Sequence, residues 1–378
     1  MVFKRYLQTY LSKFLSEKMV FLGGPRQVGK TTLALKILGE TANEEHPAYL
    51  SWDSPLVPSQ LKRGELPPNE TCIILDEIHK YLKWRNLVKG LYDTHKSRIQ
   101  FIVTGSARLD YYRRGGDSLQ GRYYFLRLHP FSLREYKHHP TEQDLNRLLT
   151  FGGFPEPLLK SDSDHHRLWQ RQRLSRVIRD DLRDLEQVKD ISLVEHLVEL
   201  LPSKVGSPLS IKSLREDLEV DHKTAERWLK ILENLYVCFR ISPYGTSRIR
   251  AVKKEQKLYL WNWSEIPEMD FRFENLMASQ LLKYCHLLED TKGYRMELRY
   301  IRDTDKREVD FVVLKDKKPL FAVECKSGDK AVSPNIQYFS ERLPIPVFYQ
   351  VHLEKREFDL GKVKVRNFIH FCQELDLP

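Results

Sequence analysis

A glycine-rich loop between a strand and a helix constrains this chain more than any other feature of its sequence. Residues 24–31 read Gly-Pro-Arg-Gln-Val-Gly-Lys-Thr, the G-x-x-x-x-G-K-T pattern of a phosphate-binding loop. The apolar run at 19–22 predicts a buried strand before the loop, and residues 31–38 have helical spacing after it. In this setting the glycines let backbone N–H groups turn toward phosphates, and the helix N-terminus adds a favourable dipole. The sequence therefore predicts a nucleotide site.

The residues of this loop are expected to share the binding of ATP and Mg²⁺. Lys30 is predicted to reach the β- and γ-phosphates, and the Thr31 hydroxyl is predicted to take a Mg²⁺ position. The rest of the loop is predicted to surround the nucleotide: Gly24, Pro25, Arg26, Gln27, Val28, Gly29 and Thr32.

An apolar strand that ends in two carboxylates supplies a second part of the same chemistry. Residues 72–75 are Cys-Ile-Ile-Leu, and Asp76 and Glu77 follow directly. Asp76 is predicted to hold Mg²⁺ through water, and Glu77 to act as the base that orients the attacking water. The alternative is that the pair only caps a helix predicted over 78–92. The position downstream of a phosphate-binding loop favours the catalytic interpretation.

A third apolar strand, predicted over 99–104, ends in side chains with hydroxyl groups. A hydroxyl at this position can sense the γ-phosphate of a bound nucleotide. Thr104 and Ser106 both qualify, and the sequence does not choose between them.

Composition narrows the class of protein and of partner. The chain has 378 residues, which predicts two or three domains, and its net charge of +10 favours a polyanionic partner such as DNA. No apolar run approaches the roughly 18 residues of a transmembrane helix, so no membrane association is expected. The five cysteines are widely spaced without a C-x-x-C pair, which favours free thiols in a reducing, cytoplasmic setting.

Strand and helix patterns divide the chain into four regions. The fold class is α/β: residues 1–140 predict a P-loop ATPase core with a parallel sheet covered by helices. Residues 141–200 predict a helical lid or linker, 201–262 a winged helix, and 263–378 a small α/β domain. The strands of the first region are predicted near 19–23, 47–52, 72–76, 99–104 and 122–128.

The third region combines a helix–turn–helix–strand order with an excess of basic residues. Helices are predicted over 210–218 and 222–233 and a strand over 234–241, and residues 201–258 hold twelve Lys and Arg against seven Asp and Glu. The candidate DNA contacts are Lys223, Arg227 and Lys230 on the second helix and Arg248, Arg250, Lys253, Lys254 and Lys257 in the wing. Internal packing of the winged helix is the alternative.

The C-terminal region predicts a charged hairpin. Strands are predicted over 308–314 and 321–326, so Glu324 and Lys326 share one face, with Asp310 across from them. Two carboxylates and a lysine are what Mg²⁺-dependent phosphodiester cleavage requires. Asp310 and Glu324 are the candidate metal ligands, and Glu308 is an alternative to Asp310. The competing interpretation is alternating charge on a half-exposed hairpin.

These motifs together resemble the prokaryotic AAA-type ATP-binding proteins that carry a C-terminal PD-(D/E)xK nuclease-like domain. The resemblance spans nearly the whole chain and depends on the loop at 24–31, Ile-Leu-Asp-Glu-Ile, Thr-Gly-Ser-Ala-Arg, Gly-Arg at 121–122, Phe-Glu-Asn-Leu, Glu-Val-Asp-Phe and Val-Glu-Cys-Lys. It implies an arginine finger that acts across a subunit interface, with Arg122 and Arg108 as candidates. It also implies a nuclease-like core of Glu274, Asp310, Glu324 and Lys326.

The expected function is a Mg²⁺-dependent ATPase that self-associates as a ring or dimer. It would bind DNA and remodel or process it, with branched DNA as one substrate. The alternative is an ATP-controlled switch or assembly protein in which the nuclease-like domain is inert.

Overall fold

The computed structural model describes residues 3–105, 119–178, 190–245, 256–328 and 331–378. The chain forms two compact units, Met1–Pro130 with Asn234–Tyr236, and Phe131–Glu233 with Val237–Pro378. Some of the predicted site residues lie outside the described residues: Ser106, Arg108, Arg248, Arg250, Lys253 and Lys254.

The first unit contains a parallel five-stranded sheet in the order β2-β3-β4-β1-β5. Its strands are β1 Met19–Gly23, β2 Tyr49–Ser51, β3 Cys72–Asp76, β4 Gln100–Thr104 and β5 Tyr123–Arg127. All five predicted strands are confirmed. Strands β1 and β3 are buried over their whole lengths, as expected for parallel strands covered on both faces.

Helices of the first unit are α1 Gln8–Leu15, α2 Lys30–Leu38, α3 Val57–Lys62 and α4 Trp84–His95. The continuous helix predicted over 78–92 is wrong. A short 3₁₀ turn, Ile78–Lys80, precedes α4, because Tyr81 takes an extended conformation with ψ of 123° that ends the first turn. Residues 78–92 therefore form two helical pieces.

The parallel direction of the strands gathers the predicted nucleotide residues at one edge. The ends of β3 and β4 are aligned, with Asp76 next to Thr104, and Leu22 of β1 is next to Thr104 on the other side. The glycine-rich loop leaves β1 at that edge and leads into α2. Ligands of open parallel sheets bind at such carboxyl ends of strands.

The second unit begins with helices and continues into a mixed sheet. Its helices are α5 Leu133–Tyr136, α6 Glu142–Phe151, α7 Pro155–Lys160, α8 Ser163–Arg176, α9 Ile191–Leu200, α10 Ile211–Asp217, α11 His222–Asn234, α12 Met269–Lys292, α13 Pro334–Arg342 and α14 Phe368–Glu374. The two helices predicted over 210–218 and 222–233 are present as α10 and α11.

The sheet of the second unit has eight strands in the order β12-β13-β11-β10-β9-β8-β6-β7. They are β6 Cys238–Pro243, β7 Lys257–Leu260, β8 Met296–Arg302, β9 Glu308–Lys315, β10 Lys318–Lys326, β11 Phe348–His352, β12 Phe358–Leu360 and β13 Val363–Asn367. The predicted C-terminal hairpin is the antiparallel pair β9 and β10.

The strand assigned to a separate winged helix is β6, and it belongs to this same sheet, as does Lys257, the last basic residue of the predicted wing. Strand β6 pairs antiparallel with β7 and parallel with β8. The predicted division at 262 and 263 therefore separates strands that share one hydrogen-bonded sheet. The sequence of this region does not reveal the pairing of β6 with β8, because the whole of α12 lies between the two strands in the chain.

Candidate functional site

The glycine-rich loop has the backbone geometry that a phosphate-binding loop requires. Gly24 has φ of 134°, and a Cβ at this position would lie 2.3 Å from the carbonyl oxygen of Leu128. Gly29 has φ of 94° and directly precedes Lys30, the first residue of α2. Only glycine adopts these conformations without strain and allows the backbone so close. The loop thus turns tightly and presents the N-terminus of α2 at its centre.

The ammonium of Lys30 hydrogen-bonds to the backbone of the loop that precedes it. Its Nζ donates to the carbonyl oxygens of Gly24 at 3.0 Å and Pro25 at 2.8 Å. Both oxygens carry only partial negative charge, so the β- and γ-phosphates predicted to bind here would be stronger acceptors for the same ammonium. Arg26, Gln27 and Thr32 are partly or fully exposed around the loop, and Val28 is buried.

Asp76 is at the centre of a hydrogen-bonded network at the end of β3. The Thr31 hydroxyl lies 3.4 Å from Oδ2, and the phenol of Tyr49 donates to the same oxygen at 2.5 Å. The Thr104 hydroxyl donates to Oδ1, and the backbone N–H of Glu77 donates to it at 3.1 Å. The structure therefore brings together the two residues predicted to hold Mg²⁺, Thr31 and Asp76, with Thr104 beside them.

Glu77 is held in an unusual backbone conformation. Its φ of 53° is in the left-handed region, which costs a non-glycine residue ~1–3 kcal/mol and occurs most often at functional sites. Its Oε2 lies 3.5 Å from Nε2 of His79 and 3.9 Å from Nζ of Lys80. The carboxylate thus lies beside two basic side chains, and its role as base remains a prediction.

Two residues of this site were not expected from the sequence, Tyr49 and Arg5. Burial, together with the charge of Asp76, raises the pKa of Tyr49 well above its ordinary value, so the phenol keeps its proton. The buried guanidinium of Arg5 donates to the Val28 carbonyl of the loop at 2.7 Å and to the carbonyl of His129. A tyrosine that starts a short strand, and an arginine just before an amphipathic helix, carry no motif that would identify them.

Arg122 lies at the edge of the sheet opposite to the loop. Met19 pairs with Tyr123 and Gly23 pairs with Arg127, so Arg122 precedes the strand end that is farthest from the glycines. The two ends of the five-residue strand β5 are four residue steps apart, about 13 Å. Its guanidinium pairs with Asp93 at 2.9 Å. Its predicted role as an arginine finger concerns the nucleotide site of a neighbouring subunit.

The second predicted site brings four acidic side chains together, which we call the carboxylate cluster: Glu274, Glu308, Asp310 and Glu324. Glu274 projects from α12, Glu308 and Asp310 from β9, and Glu324 from β10. Phe311 pairs with Val323 in the antiparallel ladder, which places Asp310 beside Glu324. The spacing of charges along the hairpin therefore does produce a carboxylate pair, as predicted.

Two lysines neutralise much of this cluster, and one of them was assigned elsewhere. Lys257, expected at an exposed wing, is fully buried at the start of β7. Its Nζ lies 3.1 Å from Oε1 of Glu274, 2.5 Å from Oε1 of Glu308 and 3.6 Å from Oδ1 of Asp310. The assignment of Lys257 to DNA contact is wrong, since no DNA phosphate reaches a buried ammonium.

Lys326 pairs with the remaining member of the cluster. Its Nζ donates to Oε1 of Glu324 at 2.7 Å. Burial and the charge of Asp310 raise the pKa of Glu324, and the Lys326 ammonium opposes this only in part. Oε2 of Glu324 is buried without a hydrogen-bond partner in the described structure. This oxygen is better suited to a protonated carboxyl than to a carboxylate.

Several oxygens of the cluster are already hydrogen-bonded within the chain, which leaves fewer of them for a metal ion. Mg²⁺ prefers six oxygens in octahedral geometry at about 2.0–2.1 Å. Here Oε1 of Glu274 accepts from both Lys257 and Tyr259, and Oδ2 of Asp310 accepts from the backbone N–H of Cys325. Among the described residues, no three His, Cys, Asp or Glu side chains are arranged so that they could hold a metal ion.

The basic residues of α11 lie where the helical spacing predicted. Ala225, Trp228 and Leu229 are buried on one face, and Lys223, Arg227 and Lys230 are exposed on the other. Lys230 contacts Glu233 at 2.9 Å on the same helix. The three side chains therefore form an exposed basic face. DNA as its partner remains a prediction.

Three consecutive parts of the chain match known family profiles. Residues 16–137 match the profile of an AAA domain. Residues 142–264 and 269–371 match two domains of unknown function, DUF8612 and DUF4143. The second match begins in the first helices of the second unit and ends after β7, and the third covers α12 and the strands that follow. Neither match tests the nuclease-like interpretation.

Similar proteins extend over most of the chain. The uncharacterized protein MJ1637 of Methanocaldococcus jannaschii is 23% identical and aligns with 87% of this chain and 80% of its own length. An uncharacterized protein of Haemophilus influenzae is 20% identical, with 84% and 85% covered. The uncharacterized protein Rv2008c of Mycobacterium tuberculosis is 23% identical over 64% of this chain. The aligned part is about half of that relative's own length, 54%.

Among solved structures, the Aeropyrum pernix ORC1 protein in complex with DNA superimposes with a TM-score of 0.33 and 15% identity. The superposition covers 69% of this chain and 90% of that one.

None of the described helices combines the length and apolar character needed to cross a membrane. The glycine-rich loop, Asp76 and Thr104 all lie within residues 16–137, the part of the chain that matches the AAA domain profile.

Proposed function

We propose that this chain is a Mg²⁺-dependent ATPase whose nucleotide cycle is coupled to the binding and remodelling of DNA. The observation that carries the ATPase is the meeting of Lys30, Thr31 and Asp76 at one edge of a parallel sheet. These are the side chains that would bind the phosphates and Mg²⁺ of ATP, and the match of 16–137 to an AAA domain supports the same activity.

In this proposal the residues of the site have separate tasks. Lys30 would exchange the loop carbonyls for the β- and γ-phosphates. Thr31 and Asp76 would hold Mg²⁺, which would supply positive charge to the phosphates. Glu77 orients the water that attacks the γ-phosphorus. Thr104 reports the state of the γ-phosphate to Asp76 through their shared hydrogen bond.

The ATPase is tested by turnover and by nucleotide binding in two variants. Lys30→Ala is expected to lose both, whereas Glu77→Gln keeps ATP binding and loses turnover by roughly a hundredfold or more, because only the base is removed. Lys13→Ala and Glu45→Gln make the same changes at exposed positions and serve as controls. Wild-type turnover in Glu77→Gln would eliminate Glu77 as the base.

The DNA part of the proposal depends on the exposed basic face of α11 and the net charge of +10. Its test is ATP turnover with and without linear, single-stranded and four-way-junction DNA. A DNA-directed ATPase accelerates with at least one of these, and preference for the junction would identify branched DNA as its substrate. Turnover that no DNA accelerates would contradict the coupling.

Self-association is the third part of the proposal. A finger that acts between subunits makes specific activity depend on protein concentration. Arg122→Ala lacks the finger and Lys30→Ala lacks the nucleotide, so mixing the two variants should restore part of the activity. If dilution does not change specific activity and the mixture stays inactive, Arg122 has no such role.

The second candidate function is an ATP-controlled switch or assembly protein with an inert nuclease-like domain. The burial of Lys257 within the carboxylate cluster favours this candidate over DNA cleavage. A switch hydrolyses ATP slowly with or without DNA, and its partner affinity differs between the ATP and ADP states. The turnover assay with DNA therefore separates the two candidates.

A further inference from the structure

The buried ammonium of Lys257 lies among the carboxylates at the position where a bound cation would be expected. Three carboxylate oxygens from two elements surround its Nζ at 3.1, 2.5 and 3.6 Å: Oε1 of Glu274 on α12, and Oε1 of Glu308 and Oδ1 of Asp310 on β9. An ammonium has three donors, so it can satisfy three acceptors at once.

Lys257 has no access to solvent, so water cannot replace these carboxylates as its partners. The side chain is fully buried, with its Nζ 5.7 Å from the centre of the Tyr300 ring. A buried charge is tolerated only when it is paired and hydrogen-bonded, and the carboxylates around it are equally dependent on the ammonium. The lysine and the acidic side chains are therefore one interdependent group.

A divalent ion would compete with this arrangement both in space and in charge. A metal among Glu274, Glu308 and Asp310 would meet the ammonium at the same oxygens, and like charges a few ångströms apart repel strongly away from water. The second lysine adds to the effect, because Lys326 occupies Oε1 of Glu324 at 2.7 Å. The two lysines of the chain itself thus already neutralise much of the negative charge of the cluster.

We propose that Lys257 is the resident cation of the carboxylate cluster and takes the place of a divalent metal. The wild-type cluster then binds no Mg²⁺ or Mn²⁺, and the second unit keeps the arrangement of a nuclease-like site without metal-dependent cleavage. Removal of the ammonium uncovers a latent divalent-cation site. This inference does not depend on the ATPase activity, since it concerns only the second unit.

The experiment measures Mn²⁺ binding to the nucleotide-free full-length protein by calorimetry and by Mn²⁺ electron paramagnetic resonance. Lys257→Met removes the charge and keeps the length of the side chain. It is expected to bind Mn²⁺ at least about tenfold more tightly than wild type and to gain thermal stability with Mn²⁺. Asp310→Asn in the Lys257→Met background should abolish the gain. Lys292→Met, at an exposed position of α12, is the matched control.

A second variant keeps the test decisive if Lys257→Met alone does not fold. Lys257→Met with Glu308→Gln removes the closest ion pair as a neutral unit and leaves Glu274, Asp310 and Glu324 for the metal. Failure of both variants, when folded, to bind Mn²⁺ more tightly than wild type overturns the proposal. Mn²⁺ binding by the wild-type protein that Asp310→Asn abolishes also overturns it, and this measurement needs no change at Lys257.

Discussion

The phenol of Tyr49 lies 2.5 Å from Oδ2 of Asp76, the same oxygen that the Thr31 hydroxyl approaches at 3.4 Å. The other oxygen of Asp76 accepts from Thr104 and from the backbone N–H of Glu77. Both oxygens of the carboxylate predicted to hold Mg²⁺ are therefore engaged by the protein. Mg²⁺ that arrives with ATP must share Asp76 with the phenol or displace it.

Tyr49→Phe is accordingly expected to strengthen the response of the ATPase to Mg²⁺. Loss of a hydrogen bond to a charged group, worth about 1.5 kcal/mol, would lower the Mg²⁺ concentration for half-maximal turnover by up to about tenfold. The measurement is ATP hydrolysis across a Mg²⁺ titration. Tyr10→Phe, on α1, makes the same chemical change away from the site. An unchanged midpoint in Tyr49→Phe would mean that the phenol does not compete.

Arg5 connects the N-terminal segment to the glycine-rich loop, and its removal should loosen both. Arg5→Ala leaves the carbonyls of Val28 and His129 without a charged donor in a buried place. We expect the free energy of unfolding of the first unit to fall by about 2 kcal/mol or more, and ATP affinity to fall with it. Arg5→Lys restores the positive charge on a single nitrogen but not the forked geometry of the guanidinium, so it should recover only part of the loss.

Thermal unfolding and titration with a fluorescent ATP analogue measure the two effects. Lys4→Ala, at the neighbouring exposed position, controls for the loss of positive charge. If Arg5→Ala lowers stability and leaves ATP affinity unchanged, the arginine supports the fold without positioning the loop.

Much of the first unit could be predicted because its signals are local. Strands of a parallel sheet buried on both faces appear as short apolar runs, and the bounds of β1 and β3 follow directly from them. The loop motif then identifies the edge where the nucleotide residues meet. The order of the strands has no such local signal, since it depends on which strands pair across the sheet.

The second unit was predicted less completely for the same physical reason. The charges of β9 and β10 indicated a carboxylate pair, and the pair is present. Lys257 lies 51 residues before Glu308 in the sequence, and only the pairing of β6 with β7 and β8 carries it into the cluster. A basic residue in a basic stretch predicts an exposed side chain, and burial against acidic residues from distant elements reverses that prediction.

Glu374 at the end of α14 should make the stability of the second unit depend on acid pH. Burial acts to raise its pKa, but hydrogen bonds from Lys364, Arg366 and Tyr349 outweigh burial and lower the pKa to about 2. Because the folded pKa is below the unfolded value of about 4.3, the stabilisation is complete above the unfolded pKa and is lost as pH falls through about 2.

Glu374→Gln removes this charge while keeping the shape of the side chain. The variant should melt at a lower temperature than wild type near pH 7, and the difference should shrink steadily between about pH 4.5 and 2. Thermal unfolding over this pH range is the measurement. Glu341→Gln, whose carboxylate is exposed beside Arg342, should show little difference at any pH. A difference for Glu374→Gln that does not change with pH would contradict the assignment.

The exposed face of α11 allows the proposed DNA contact to be tested without disturbing the fold. Combined Ala substitutions at Lys223, Arg227 and Lys230 keep the buried face intact, and alanine favours the helix. If these side chains neutralise phosphates, DNA affinity should fall for every sequence tested. The slope of log affinity against log salt should also flatten by roughly 0.9 for each phosphate that is no longer neutralised. Fluorescence anisotropy with labelled DNA at several salt concentrations measures both quantities.

A control variant must remove the same positive charge elsewhere in the second unit. Combined Ala substitutions at Arg147, Lys160 and Lys292 do so at exposed positions on three other helices. A weak and equal decrease in affinity in both triple variants would reflect net charge alone, because a general field acts on DNA from any part of the surface. A flattened salt dependence in the α11 variant only would assign the phosphate-binding role to this face. Full affinity in that variant would refute α11 as the DNA-binding element.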